Sequence, residues 1–261
     1  MKNRGINLSI LLLIAALLAV ILFSRLLPYY TPAVKLNEYE VVHKYDDTLR
    51  IAVIGDSWAD FHGYYRCHIP AILHHLNDKP VQVYTSGISG YTSKEIYYSI
   101  FKNDSVRSAI EWGPDYCAVM AGINDADRKM GTRYYKESMR LIIDFLLKNH
   151  ITPIIFEIPD FNIKYSFEVR RWRLKLKYFF SMFVHLTPID CIDMYRNALF
   201  ELLKEENWLN KIVYIRTSKW NPDGYMDDRN IYDESQMHLN EKGYEVLDTC
   251  IAYSIQESIE S

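Results

Sequence analysis

Short apolar runs alternate with segments of helical period about five times between residues 50 and 257, and this alternation restricts the fold more than any other feature. Ile51–Ile54, Val81–Tyr84, Asp115–Met120, Ile151–Ile158 and a short run at Ile189–Ile192 have the length and composition of strands. Helical spacing is predicted over Trp58–Asn77, from Ser93 to Phe101, over Thr132–Asn149 and Tyr165–His185, from Asp193 to about Asn207, and from Asn240 to about Glu257. Pro70 implies a kink or a late start in the first of these. Strands that alternate with helices form a parallel sheet covered on both faces. The expected fold is therefore α/β: a three-layer α/β/α sandwich with a mostly parallel five-stranded sheet, flavodoxin-like in plan.

In such a sheet the carboxyl ends of the strands gather at one edge, where ligands bind. Three segments follow predicted strands and would meet there. The first is Gly55-Asp56-Ser57-Trp58, after Ile51–Ile54. The second is the loop Ser86-Gly87-Ile88-Ser89-Gly90-Tyr91-Thr92-Ser93, and the third is Gly122-Ile123-Asn124-Asp125. Each has an ordinary structural explanation: Ser57 as a helix cap, the Gly/Ser loop as a turn, Asn124 as an Asx turn. Their convergence at one edge favours chemistry instead.

A serine nucleophile needs a base for its proton and donors for the oxyanion that forms. The Ser57 and Gly90 N–H groups and the Asn124 amide are candidate donors. His238, in the loop Glu234-Ser235-Gln236-Met237-His238-Leu239-Asn240 before the last helix, is the candidate base. His62, His68, His74 and His75 lie along one helix-like segment and suit surface or satisfied core positions. His43, His150 and His185 fall in a linker or at helix ends.

Taken in order, these blocks resemble the SGNH/GDSL hydrolase family, over about Arg50 to Ile251. Gly55-Asp56-Ser57-Trp58 matches the first block, with Trp58 in place of the usual Leu. Gly87–Ser93 matches the second, with Gly90 in the oxyanion position, Gly122–Asp125 the third, and His238-Leu239-Asn240 the end of the fifth. Ala59 rules out the G-x-S-x-G elbow of α/β-hydrolases. The resemblance implies an ester hydrolase that works through an acyl-enzyme on Ser57, with His238 as base, a Ser57–Gly90–Asn124 oxyanion hole, and no metal or organic cofactor. One position departs from the family: Ser235 stands where an Asp usually precedes the histidine by three residues. Asp233 is the candidate acid. Glu234, or a dyad with His238 oriented by a backbone carbonyl or by Ser235, stays open, as does a non-catalytic member of the family.

The N-terminus is of another kind. Lys2 and Arg4 precede an apolar stretch from Ile6 to Leu27, uninterrupted from Ile10 to Phe23. That length suits a spanning helix, and no small-residue cleavage site follows Phe23. Residues 1–27 are expected to be a membrane anchor or signal sequence, 28–48 a linker, and 49–261 the hydrolase domain, held on the extracytoplasmic face. The net charge of -3 gives no general drive toward nucleic acid. The four cysteines show no metal-type spacing. An outward-facing domain points to O-acetyl esters on cell-envelope or extracellular polysaccharide. Acyl transfer to a glycan hydroxyl and glycan binding without catalysis are the alternatives. Two further features bear on partners: the aromatic loop Trp220–Tyr225, able to stack on sugars, and the cationic stretch Arg170–Lys177, able to rest on anionic lipid or to be a solvated helix face. The sequence leaves the oligomeric state open.

Overall fold

The computed structural model describes residues 10–14, 17, 29–226 and 229–260. It divides into two compact units, Met1–Pro32 and Ala33–Ser261. In the first, residues 10–14 and 17 are helical. Among the described residues no helix is long and apolar enough to cross a membrane, and the anchor expected over residues 1–27 lies mostly outside them.

The second unit is built on five parallel strands: β1 (Leu49–Gly55), β2 (Val81–Gly87), β3 (Tyr116–Met120), β4 (Thr152–Phe156) and β5 (Val213–Ile215). Their order is β2-β1-β3-β4-β5, with Ile51 paired to both Val83 and Tyr116. Ten helices accompany them among the described residues of this unit: α1 (Ser57–His62), α2 (Ile69–Asn77), α3 (Ser93–Lys102), α4 (Asp104–Glu111), α5 (Ile123–Asp127), α6 (Thr132–Lys148), α7 (Ile163–Glu168), α8 (Trp172–His185), α9 (Ile192–Glu205) and α10 (Glu241–Glu260). Ile51, Ala52, Val53 and Ile54 of β1 are fully buried, as a central parallel strand covered on both faces must be. The three-layer α/β/α plan and the five-stranded sheet are as expected, and every strand pair is parallel.

Several boundaries differ from the sequence expectation, each for a local reason. The run Trp58–Asn77 is two helices, because Pro70 starts α2 afresh in its first turn. Tyr165–His185 likewise breaks into α7 and α8. Ile189–Ile192 is not a strand: Ile189 gives its carbonyl to the buried Lys129 ammonium, and Cys191 is already the cap of α9. The fifth strand is the apolar run at Val213–Ile215. Part of the stretch expected as a linker is bound to the domain. The Val34 and Leu36 N–H groups donate to the hydroxyls of Tyr98 and Tyr97, and the Val41 N–H to Asn149 Oδ1.

Candidate active site

Ser57 sits where β1 gives way to α1. A Cβ on Gly55 would lie 2.1 Å from the Met120 carbonyl oxygen, so only glycine lets β1 run this close to β3. The Asp56 N–H donates to that same carbonyl at 3.0 Å, and Asp56 Oδ1 accepts from the Trp58 N–H at 3.0 Å, capping α1. As the first residue of α1, Ser57 presents an N–H with no acceptor inside the helix. Its Oγ lies 2.9 Å from His238 Nε2.

His238 is delivered by a loop that doubles back on itself. Tyr232 pairs antiparallel with Leu239, and the Asp233 N–H donates to the His238 carbonyl at 2.9 Å. Asp233 therefore stands across the loop from His238 although it lies five positions earlier in the chain. Its Oδ2 is 3.9 Å from Nδ1, beyond a hydrogen bond. Ser235 fills the gap: its Oγ is 3.3 Å from Nδ1, and its hydroxyl donates to Asp233 Oδ1 at 2.5 Å. With the ring proton on Nδ1 facing Ser235, the Nε2 lone pair faces Ser57. Burial holds the His238 pKa below the usual histidine value, with the Asp233 charge opposing that shift. The ring is thus neutral at pH 7 and able to accept a proton. Glu234 is exposed.

Gly90 and Asn124 come from the segments that follow β2 and β3. Gly90 has a φ of 82°, where glycine carries no penalty, and its carbonyl accepts from Arg128 Nη2 at 2.6 Å. The Asn124 amide donates to the Tyr91 carbonyl at 3.1 Å and, over a longer 3.3 Å, to Asp56 Oδ2. Asp125 clamps the two loops together, taking the Ser93 N–H at 2.8 Å and the Ser93 hydroxyl at 2.6 Å. The three strand-end segments thus converge at one edge.

The sequence profile of the GDSL-like lipase/acylhydrolase family matches residues 53–246. The chain belongs to that family. It is an ester hydrolase of the SGNH/GDSL type. Comparison with curated protein sequences gives no significant match. Solved structures share its fold at low identity. A GDSL-like lipase from Bacteroides thetaiotaomicron is 16% identical, with 80% of this chain and 88% of that one covered at a TM-score of 0.51. An acetylxylan esterase from Geobacillus stearothermophilus is 15% identical, with 79% and 94% covered at 0.54. A further acetyl xylan esterase is 15% identical, with 81% and 100% covered at 0.50.

Two residues of this GDSL-type hydrolase, Asp56 and Asp125, stand at the site without a role read from the sequence. Asp56 and Asp125 are buried carboxyls whose pKa values burial pushes up to about 7 and about 6. Both are adjacent to motif residues, which was the available signal. Trp58 donates its indole N–H to the Met237 carbonyl at 3.1 Å, so the departure from the family's Leu has a structural use. Trp220 is buried edge-on against Trp58, with ring centroids 6.0 Å apart. It is core and not an exposed sugar platform. His62 is a satisfied core histidine, 2.6 Å from Asp248 Oδ1. His62, Cys67 and Asp248 could group around a metal ion, with ligand atoms within 4.8 Å. The fit is poor: burial pushes the Cys67 thiol up to about 12, and Asp248 is already engaged by His62 and the His68 N–H.

Proposed function

We propose that this chain is a serine esterase that removes short acyl groups, O-acetyl in the first instance, from cell-envelope or extracellular polysaccharide. The observation that carries the reading is the 2.9 Å contact of Ser57 Oγ with a His238 imidazole that burial keeps neutral. Ser57 attacks the ester carbonyl and His238 Nε2 takes its proton. The tetrahedral oxyanion lies against the Ser57 and Gly90 N–H groups and the Asn124 amide, which releases its longer bond to Asp56 to reach it. His238 returns the proton to the leaving sugar hydroxyl, and water, activated by the same imidazole, frees the acyl group. Asp233 acts on the imidazolium through the Ser235 hydroxyl, a relayed form of the usual acid.

Support for the substrate class comes from the structural likeness to two acetylxylan esterases and from the sequence reading of an N-terminal membrane segment. The test is release of acetate from acetylated xylan and from other O-acetylated glycans, with Ser57→Ala beside the wild type. Serine-dependent release is the expected result. Acetyl transfer to an added glycan with no free acetate would replace hydrolysis by transfer at the same serine. Glycan binding unchanged in Ser57→Ala, with no turnover of any ester, would replace it by a binding function.

A further inference from the structure

Helix α8 carries its apolar residues on the wrong side for a soluble domain. An amphipathic helix on a sheet normally turns its apolar stripe to the core. Here Tyr178 and Ser181 face inward and are buried. Trp172, Leu176, Phe179 and Phe183 recur at intervals of four and three residues, which places them on one face, and Leu186 follows as the C-cap. That face is open: Trp172 is 66% exposed, Phe183 79% and Leu186 83%. Arg171 and Arg173 are exposed, Lys175 and Lys177 half-buried, and Trp172–His185 contains no acidic residue. The cationic side chains flank the apolar stripe in a chain whose overall charge is -3.

We propose that α8 is a membrane-surface helix that lays this stripe into the interface of an anionic lipid leaflet. The charge pattern selects that occupant. An apolar stripe with aromatics at its centre and lysine or arginine along its margins matches the acyl–headgroup boundary, where long cationic side chains reach outward to phosphates. A second copy of the chain fits less well, because a two-fold interface on this stripe brings two sets of like charges together. The helix is also fastened to the segments around the site. The Ser181 hydroxyl donates to the Lys129 carbonyl, and Arg170, just ahead of α8, pairs with Asp127 at 2.7 Å. Asn162, in the loop before α7, donates its N–H to the Gln236 carbonyl at 3.0 Å. Docking through α8 would therefore hold the Asn124 and His238 segments near the lipid surface. This inference is independent of the catalytic reading.

The test uses the full chain with phosphatidylcholine vesicles, with and without phosphatidylglycerol, made from lipids brominated on their acyl chains. Bromine quenches tryptophan only at close range. The five tryptophans are Trp58, Trp112, Trp172, Trp208 and Trp220, none of them in the N-terminal apolar stretch, so quenching of Trp172 reports α8 alone. The expected result is quenching with phosphatidylglycerol that is lost in Trp172→Phe. It should also be lost in a Leu176→Ser, Phe183→Ser double variant that retains wild-type melting temperature and esterase rate, and diminished in pure phosphatidylcholine. Equal quenching of the wild type and Trp172→Phe would overturn the proposal. So would the absence of quenching with phosphatidylglycerol; a dimer in solution that the double variant dissociates would then make α8 a self-association surface.

Discussion

The indole N–H of Trp58 donates to the Met237 carbonyl at 3.1 Å, so the residue after the candidate nucleophile holds the residue before the candidate base. Helix α1 and the His238 loop lie far apart in the sequence, and this bond ties one to the other. Trp58→Phe keeps an aromatic ring at this buried position but removes the donor and part of the ring volume, so the hydrogen-bond contribution is read beside a packing loss. Loss of the donor should cost about 1 kcal/mol of stability and lower kcat/KM about three- to tenfold, read by thermal melting and p-nitrophenyl acetate hydrolysis. A loss of stability with no loss of rate would show that the tie does not position His238.

The relay from Asp233 through Ser235 to His238 gives a prediction about pH. The Asp233 charge raises the His238 pKa against the lowering effect of burial. Asp233→Asn should therefore move the acid limb of kcat/KM to lower pH while reducing its plateau. Ser235→Ala breaks the hydrogen-bonded path but leaves the Asp233 charge, so it should reduce the plateau with a smaller shift. Ser235→Asp places a carboxylate directly beside Nδ1 and should move the acid limb to higher pH. A pH–rate profile identical in all three would remove this side of His238 from the mechanism.

Asp56 is buried, and burial raises its pKa to about 7. In the unfolded chain it titrates near the ordinary carboxylate value, so between about pH 4 and pH 7 the folded protein binds the extra proton. Its favourable contribution is whole below that window and fades as pH rises through it, at up to about 1.4 kcal/mol per pH unit. Asp56→Asn keeps an oxygen for the Trp58 N–H and removes the titration. The variant should gain stability relative to wild type as pH rises from 4 to 7, measured by urea unfolding at each pH.

His62 and Asp248 form a buried pair that makes no contact with the reacting groups named above, with side-chain exposures of 1% and 0%. Asp248→Asn weakens a pair whose members have no water to turn to, and a loss of about 3–5 kcal/mol is expected. The folded fraction should retain near-wild-type kcat. A selective loss of kcat at unchanged stability would give this pair a role in turnover.

The parallel sheet and the convergence of Ser57, Gly90 and Asn124 were legible because continuous apolar strands and Gly-bearing strand ends are local signals. The partner of His238 was legible only as a choice among Asp233, Glu234, Ser235 and a backbone carbonyl. Asp233 reaches the imidazole only because the loop folds back at Gln236, whose φ of 54° closes the turn, and because Ser235 spans the remaining distance. Neither follows from spacing along a strand or helix. The fifth strand was misplaced for a similar reason. Ile189–Ile192 and Ile212–Ile215 are equally short and apolar, and only tertiary partners, such as the Lys129 ammonium on the Ile189 carbonyl, separate them. Trp220 gave a sugar-platform signal because its loop is polar, whereas its side chain packs on Trp58.

The central claim is that Ser57 forms an ester with the substrate's acyl group with His238 as its base. The most direct measurement is p-nitrophenyl acetate hydrolysis by wild type, Ser57→Ala and His238→Ala, with mass analysis of the Ser57 peptide after rapid acid quench. The account predicts an acetyl group on Ser57 in the wild type and a fall in kcat on the order of 10³-fold or more in each variant. Turnover that survives Ser57→Ala, or an acetyl group found on another residue of a fully active enzyme, would contradict it.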